Sequence, residues 1–121
     1  MGNNVCRYDP EAFARELDVD LESISGLFRE YFNEMRSEIS EMNVFLETSD
    51  WNMLQRTVHN VKGVSANLNL NDVFEEAEKL DLQLKNGQVS ESGIHVARIA
   101  ELIAGAEKYI KEFFSEKGFP L

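Results

Sequence analysis

Residues 20–48 read DLESISGLFREYFNEMRSEISEMNVFLET. Leu21, Ile24, Phe28, Tyr31, Met35, Ile39, Met42 and Leu46 recur every three or four positions, the step that returns side chains to one face of an α-helix. Asp20 stands just ahead of the stripe, where its carboxylate can accept from the free N–H groups of the first turn. The stretch predicts one long amphipathic helix.

The same period continues on both sides. Asp9-Pro10-Glu11 starts a short helix over about residues 10–17, because Pro is tolerated at the first helical position. After residue 48, Thr48-Ser49-Asp50 offers capping groups before Trp51, and Leu54, Val58, Val61, Ser65 and Leu68 carry a third helix over 51–68. Asn69 and Asn71 break the pattern, since Asn tolerates the left-handed conformation that ends helices and can cap the next one. Val73, Phe74, Ala77, Leu80 and Leu84 predict a fourth helix ending at Asn86-Gly87. Ser90 is the expected cap of a fifth, which carries Ile94, Ala97, Ile99, Leu102, Ile103, Ala106, Ile110, Phe113 and Phe114 and stops near Gly118-Phe119-Pro120. No segment alternates with period two. The expected fold is all-α: an antiparallel up-down four-helix bundle over about 20–117, with the additional short N-terminal helix packed across one end.

A chain of 121 residues is expected to form a single domain, 1–121, with core enough to need no disulfide or metal. With 22 acidic and 12 basic side chains the formal charge is −10, a field that repels nucleic-acid backbones and anionic membrane surfaces. No apolar run approaches the ~20 residues of a membrane span, and MGNNVCRYDP has no apolar stretch of the signal-peptide kind, so a cytoplasmic location is expected. The lone Cys6 reads as a reduced, incidental thiol.

The third helix carries the chemistry. With residues stepped 100° apart, the set from Leu54 to Leu68 gathers in one sector and His59 falls nearly opposite, with Gln55 and Lys62 beside it, Gly63 and Ala66 adjacent and Arg56 on the far shoulder. The imidazole is expected to face solvent, where a largely neutral ring at pH 7 can serve as a nitrogen nucleophile. Lys62, one turn on, is close enough to meet the oxygens of a phosphoryl group on that ring. Gly63 costs about 1 kcal/mol relative to Ala in a helix interior, and together with Ala66 it clears a notch beside the ring, as a docking surface would. His95, with Glu91 and Ser92 around it, reads as an ordinary surface residue.

The stretch Thr57-Val58-His59-Asn60-Val61-Lys62-Gly63-Val64-Ser65-Ala66-Asn67-Leu68 resembles the signature of histidine-containing phosphotransfer (HPt) domains, H-x-[LV]-K-G followed by small residues and a Leu. The resemblance covers almost the whole chain, from the capping first helix through the Ser/Asp-Trp turn to the two last helices. It implies a phosphorelay carrier in two-component signal transduction, taking phosphate from the aspartyl phosphate of one response-regulator receiver domain and yielding it to another, downstream of a hybrid sensor histidine kinase. His59 would be the phosphoacceptor through Nε2, Lys62 would steady the phosphoryl oxygens, Gly63 and Ala66 would permit close approach of the receiver, and Gln55 and Arg56 would border the contact. Magnesium would belong to the receiver, so no cofactor or metal is expected on this chain, nor any kinase activity, and a monomer is expected. Two positions depart from the pattern: Val64 where Ser or Ala is common, and Asn69 where Gly is common. A stand-alone carrier and a segment of a hybrid kinase, or of the related chemotaxis kinases, read alike at these residues.

Two other classes compete. A di-iron or haem bundle would need inward ligands, and neither histidine has Glu at i−3, where Arg56 and Ser92 stand. A degenerate bundle of the same fold that only docks partners would not need His59, Lys62 and Gly63 together.

Overall fold

The computed structural model describes residues 8–121, so Cys6 lies outside the described residues. Among these residues five helices follow one another: α1 (Pro10–Leu17), α2 (Leu21–Glu47), α3 (Trp51–Asn67), α4 (Asn71–Lys85) and α5 (Ser92–Glu116). There is no strand among the described residues. Local signals set most of the boundaries. Asp9 accepts from the backbone N–H of Glu11 and Ala12 ahead of α1, Asp20 from Ser23 ahead of α2, and Asp50 from Met53 ahead of α3. Asn69 turns the chain at φ 59° between α3 and α4, and Gly87 at φ 73° after α4, so Asn serves at residue 69 where the resemblance favours Gly. The fifth helix begins later than the sequence suggests. Glu91, not Ser90, holds the N-cap position, and no side chain caps it.

Helices α2 to α5 close a ring in which each packs on its chain neighbours and α5 returns to α2. Connections this short force antiparallel neighbours. Cross-links show the same: Tyr31 meets Ser65 while Glu38 meets Asn60, and the ring of Phe28 meets that of Phe114 while Arg36 pairs with Glu107. The expected stripes form the core, with Ile24, Phe28, Met35, Met42, Leu54, Val58, Val61, Leu80, Ile99 and Ile110 all but inaccessible. Phe32 is buried as well, and Val64 packs partly inward against the core.

At ~1.5 Å per residue, α2 and α5 are about 40 and 38 Å long, against about 26 and 22 Å for α3 and α4. The long pair therefore overhangs the short pair, and α1 fills the step. Phe13 and Tyr8 pack edge-on to Phe28, the Tyr8 hydroxyl donates to the Leu68 carbonyl, and Lys117 pairs with Glu11. That seals one end of the bundle and leaves the middle of α3 and α4 open.

The last helix corrects two readings. Its buried stripe runs Val96, Ile99, Ile103, Ala106, Ile110 and Phe114, and continuing that period toward the N-terminus brings His95 inward. Ile94 is accordingly 62 % exposed. His95 is a core-edge residue, its Nδ1 2.5 Å from the buried Glu76 carboxylate. The surface reading failed because a charged α4 partner lies 19 residues away in sequence.

Candidate functional site

Three side chains leave α3 on the edge that faces α4, at the i, i+4, i+7 spacing of one helical stripe: Gln55, His59 and Lys62. All three converge on Asp81. Its Oδ1 accepts from Gln55 Nε2 at 2.6 Å, and its Oδ2 lies 3.1 Å from His59 Nδ1 and 2.8 Å from Lys62 Nζ. Lys85, one turn further along α4, brings its ammonium to 3.3 Å of the same Oδ2. The Asp81 side chain is wholly buried, whereas that of His59 is 56 % exposed. The ring therefore stands at the mouth of the α3–α4 groove rather than pointing straight away from the core, with one nitrogen anchored inside.

An unpartnered carboxylate in such a place would be costly. Burial alone pushes the Asp81 carboxyl up, but hydrogen bonds from Lys62, Gln55, His59 and Lys85 outweigh it and hold the group well below the usual carboxylate range. An ionised carboxylate only accepts hydrogen bonds, so Nδ1 of a neutral His59 must donate. That fixes the tautomer: the proton is on Nδ1, and the lone pair is on Nε2, the nitrogen available from outside.

Around the ring the outward face of α3 is low. Arg56, Gly63 and Ala66 are exposed, and none of them joins the Asp81 cluster. A Cβ built on Gly63 meets nothing within 4 Å, so packing inside this molecule gives no reason for glycine there. On the α2 side Asn60 donates to Glu34 and Glu38, whose carboxyl is pushed up chiefly by burial and eased down by that hydrogen bond. The candidate residues thus divide into a buried-anchored set, Gln55, His59 and Lys62, and an exposed rim, Arg56, Gly63 and Ala66.

Sequence reasoning missed Asp81 and Lys85. The available signal was their place on the α4 wheel: beside the stripe Val73, Ala77, Leu80 and Leu84, and one turn apart, an acid and a base share a boundary position. Among the described residues, no group of three or more His, Cys, Asp and Glu side chains is placed to hold a metal ion, and no helix is long and apolar enough to cross a membrane.

The family model of the Hpt domain matches residues 26–109, from the second turn of α2 to the later part of α5. The chain belongs to the Hpt domain family. No curated protein and no solved structure matches it. Membership in the Hpt family places the chain in phosphorelay histidine phosphotransfer, among phosphocarriers that meet receiver domains and kinases of two-component signalling.

Proposed function

We propose that His59 of this Hpt domain accepts a phosphoryl group at Nε2 from a receiver-domain aspartyl phosphate and passes it to a second receiver. The reading rests on one observation above all. His59 offers solvent an Nε2 lone pair while its Nδ1 is held by a buried carboxylate, which is the arrangement of an oriented nucleophile. Lys62, already beside the ring, would turn toward the phosphoryl oxygens and neutralise part of their charge. Gly63 and Ala66 would let the receiver's backbone close on the ring, with Arg56 and Gln55 bordering the contact and Gln55 also holding Asp81.

The phosphoryl chemistry then needs nothing from this chain but nucleophile, charge and access. The receiver's acyl-phosphate P–O bond breaks, its electron pair stays on the receiver's carboxylate, and a P–N bond forms at Nε2. Magnesium comes with the receiver, the upstream source is a hybrid sensor kinase, and the carrier works as a monomer in the cytoplasm without kinase activity of its own.

The test is label transfer from a panel of phosphorylated receiver domains to wild type, His59→Gln and His95→Gln, scored as acid-labile phosphate. Label on wild type and His95→Gln but not on His59→Gln is expected. A folded wild-type protein that takes no label from any receiver would leave a bundle that only docks partners.

A further inference from the structure

Asp81 lies in the groove behind the ring rather than at the nitrogen that would take phosphate, and its environment bears on what happens after transfer. We infer that Asp81 is a positioning residue that keeps the proton on Nδ1 of His59 while the ring is phosphorylated, holding the phosphohistidine in the form that gives its phosphoryl group up. The inference rests on the carrier reading above and deepens it.

Follow the proton and the electron pairs. When Nε2 attacks, its lone pair becomes the P–N bond and the ring loses no proton, so the product is a phosphorylated imidazolium with hydrogen still on Nδ1. When the phosphoryl group departs to a receiver carboxylate, the P–N pair returns to Nε2 and the ring leaves as neutral imidazole. Had Nδ1 lost its proton in between, the leaving group would be imidazolate, a far stronger base and a far poorer leaving group. A carboxylate fixed 3.1 Å from Nδ1 accepts the hydrogen that the phosphorylated ring carries there and, being ionised, has no proton to give in exchange.

The charges agree. The charged groups gathered at the ring are Asp81 and Lys85 from α4 and Lys62 from α3. Two ammonium groups and one carboxylate leave one positive charge. A phosphoryl group of about −2 on a protonated ring adds about one negative charge, and the site closes near neutrality. With Asn at position 81 it would close near neutrality only once the ring had lost its proton. Asp81 therefore selects the protonated phosphohistidine, and Asn would select the unprotonated, long-lived one.

The experiment uses the whole chain with 15N-labelled histidine, wild type and Asp81→Asn, before and after loading from a phosphorylated receiver. Imidazole 15N resonances of unphosphorylated wild type should show the Nδ1–H tautomer, and those of the loaded protein an Nδ1–H that persists as pH rises from about 6 to about 9. Donation to a second receiver should then be nearly independent of pH for wild type. For Asp81→Asn it should slow about tenfold per pH unit once the ring proton is lost. An Nε2–H tautomer in unphosphorylated wild type, or a loaded wild-type ring without its Nδ1 proton at neutral pH, overturns the inference with no variant needed. An Asp81→Asn protein that donates with the wild-type pH profile overturns it as well. A wild type that shows the Nδ1–H tautomer yet accepts no phosphate would sink the carrier reading instead.

Discussion

Replacing Gly63 by alanine should raise the melting temperature by about 4 °C. Glycine in a helix interior is less favourable than alanine by about 1 kcal/mol. Nothing within 4 Å of the added methyl opposes that gain, because residue 63 faces open space on α3 and has ordinary helical backbone. An unfolding entropy of about 2.1 cal/mol/K per residue, taken over 121 residues, is about 0.25 kcal/mol/K, and a 1 kcal/mol gain divided by it gives the shift. Thermal unfolding followed by circular dichroism measures it directly. A Gly63→Leu variant separates stability from docking: it should also fold at least as stably as wild type, since leucine is nearly as good a helix former as alanine. If the notch exists for a receiver's backbone, that variant should lose transfer on the order of 100-fold, the cost of displacing reacting groups by about an ångström. A destabilised Gly63→Ala would mean that the space is not open. A Gly63→Leu protein that exchanges phosphate at the wild-type rate would show that glycine is not there for a partner.

Four further outcomes follow from the core and its buried charges. Asp81 is depressed in the folded state, so its contribution to stability is complete above the unfolded value near ~4 and is lost as pH falls toward the folded one; urea unfolding from about pH 5 downward should show the loss in wild type and much less of it in Asp81→Asn. Glu38, raised mainly by burial, works with the opposite sign and at higher pH, above its unfolded value near ~4.5, so a Glu38→Gln variant should lose a small gain in stability that wild type shows as pH falls toward that value. Tyr31, whose hydroxyl meets Ser65 Oγ at 2.7 Å and whose pKa burial pushes up to about 12, stays a neutral partner throughout; Tyr31→Phe strands a fully buried Ser65 and should cost about 1–3 kcal/mol in chemical unfolding. His95→Ala leaves Glu76 buried with only the longer contacts to Lys79 and Arg98, at 3.8 and 3.9 Å, and should destabilise by about 3 kcal/mol without changing label transfer to His59.

The fold was legible because it is written in local terms. Asp9, Asp20 and Asp50 cap helices within three residues of themselves, and the stripes of α2 and α3 repeat without interruption for their whole lengths. Where a local signal was ambiguous the reading slipped by a turn or a face. Ser90 looks like a cap and is not one, and Ile94 looks like core and is exposed, because the start of α5, which no side chain caps, is set by packing on α4 rather than by its own first residues. His59, Lys62 and Gly63 were legible for the same reason as the helices: their spacing lies within one helix.

What holds His59 in place was not legible, and the reason is geometric. Asp81 and Glu76 each sit on a flank of α4, one toward α3 and one toward α5, and each takes a histidine of the neighbouring helix. No spacing rule within a single helix connects residue 59 to 81 or residue 95 to 76. Yet the two pairs differ in the property that matters for chemistry. The His59 side chain is 56 % exposed over its carboxylate, and that of His95 is 11 % exposed over its own. A partner protein can reach the first ring and not the second. Burial of the histidine, rather than the presence of a histidine–carboxylate pair, is what separates a carrier from a piece of core. An Asp81 that needed only to stabilise the bundle could have been answered by Lys62, Lys85 and Gln55 alone; the fourth contact, to the one ring nitrogen that faces inward, is the one that a phosphoryl carrier would use.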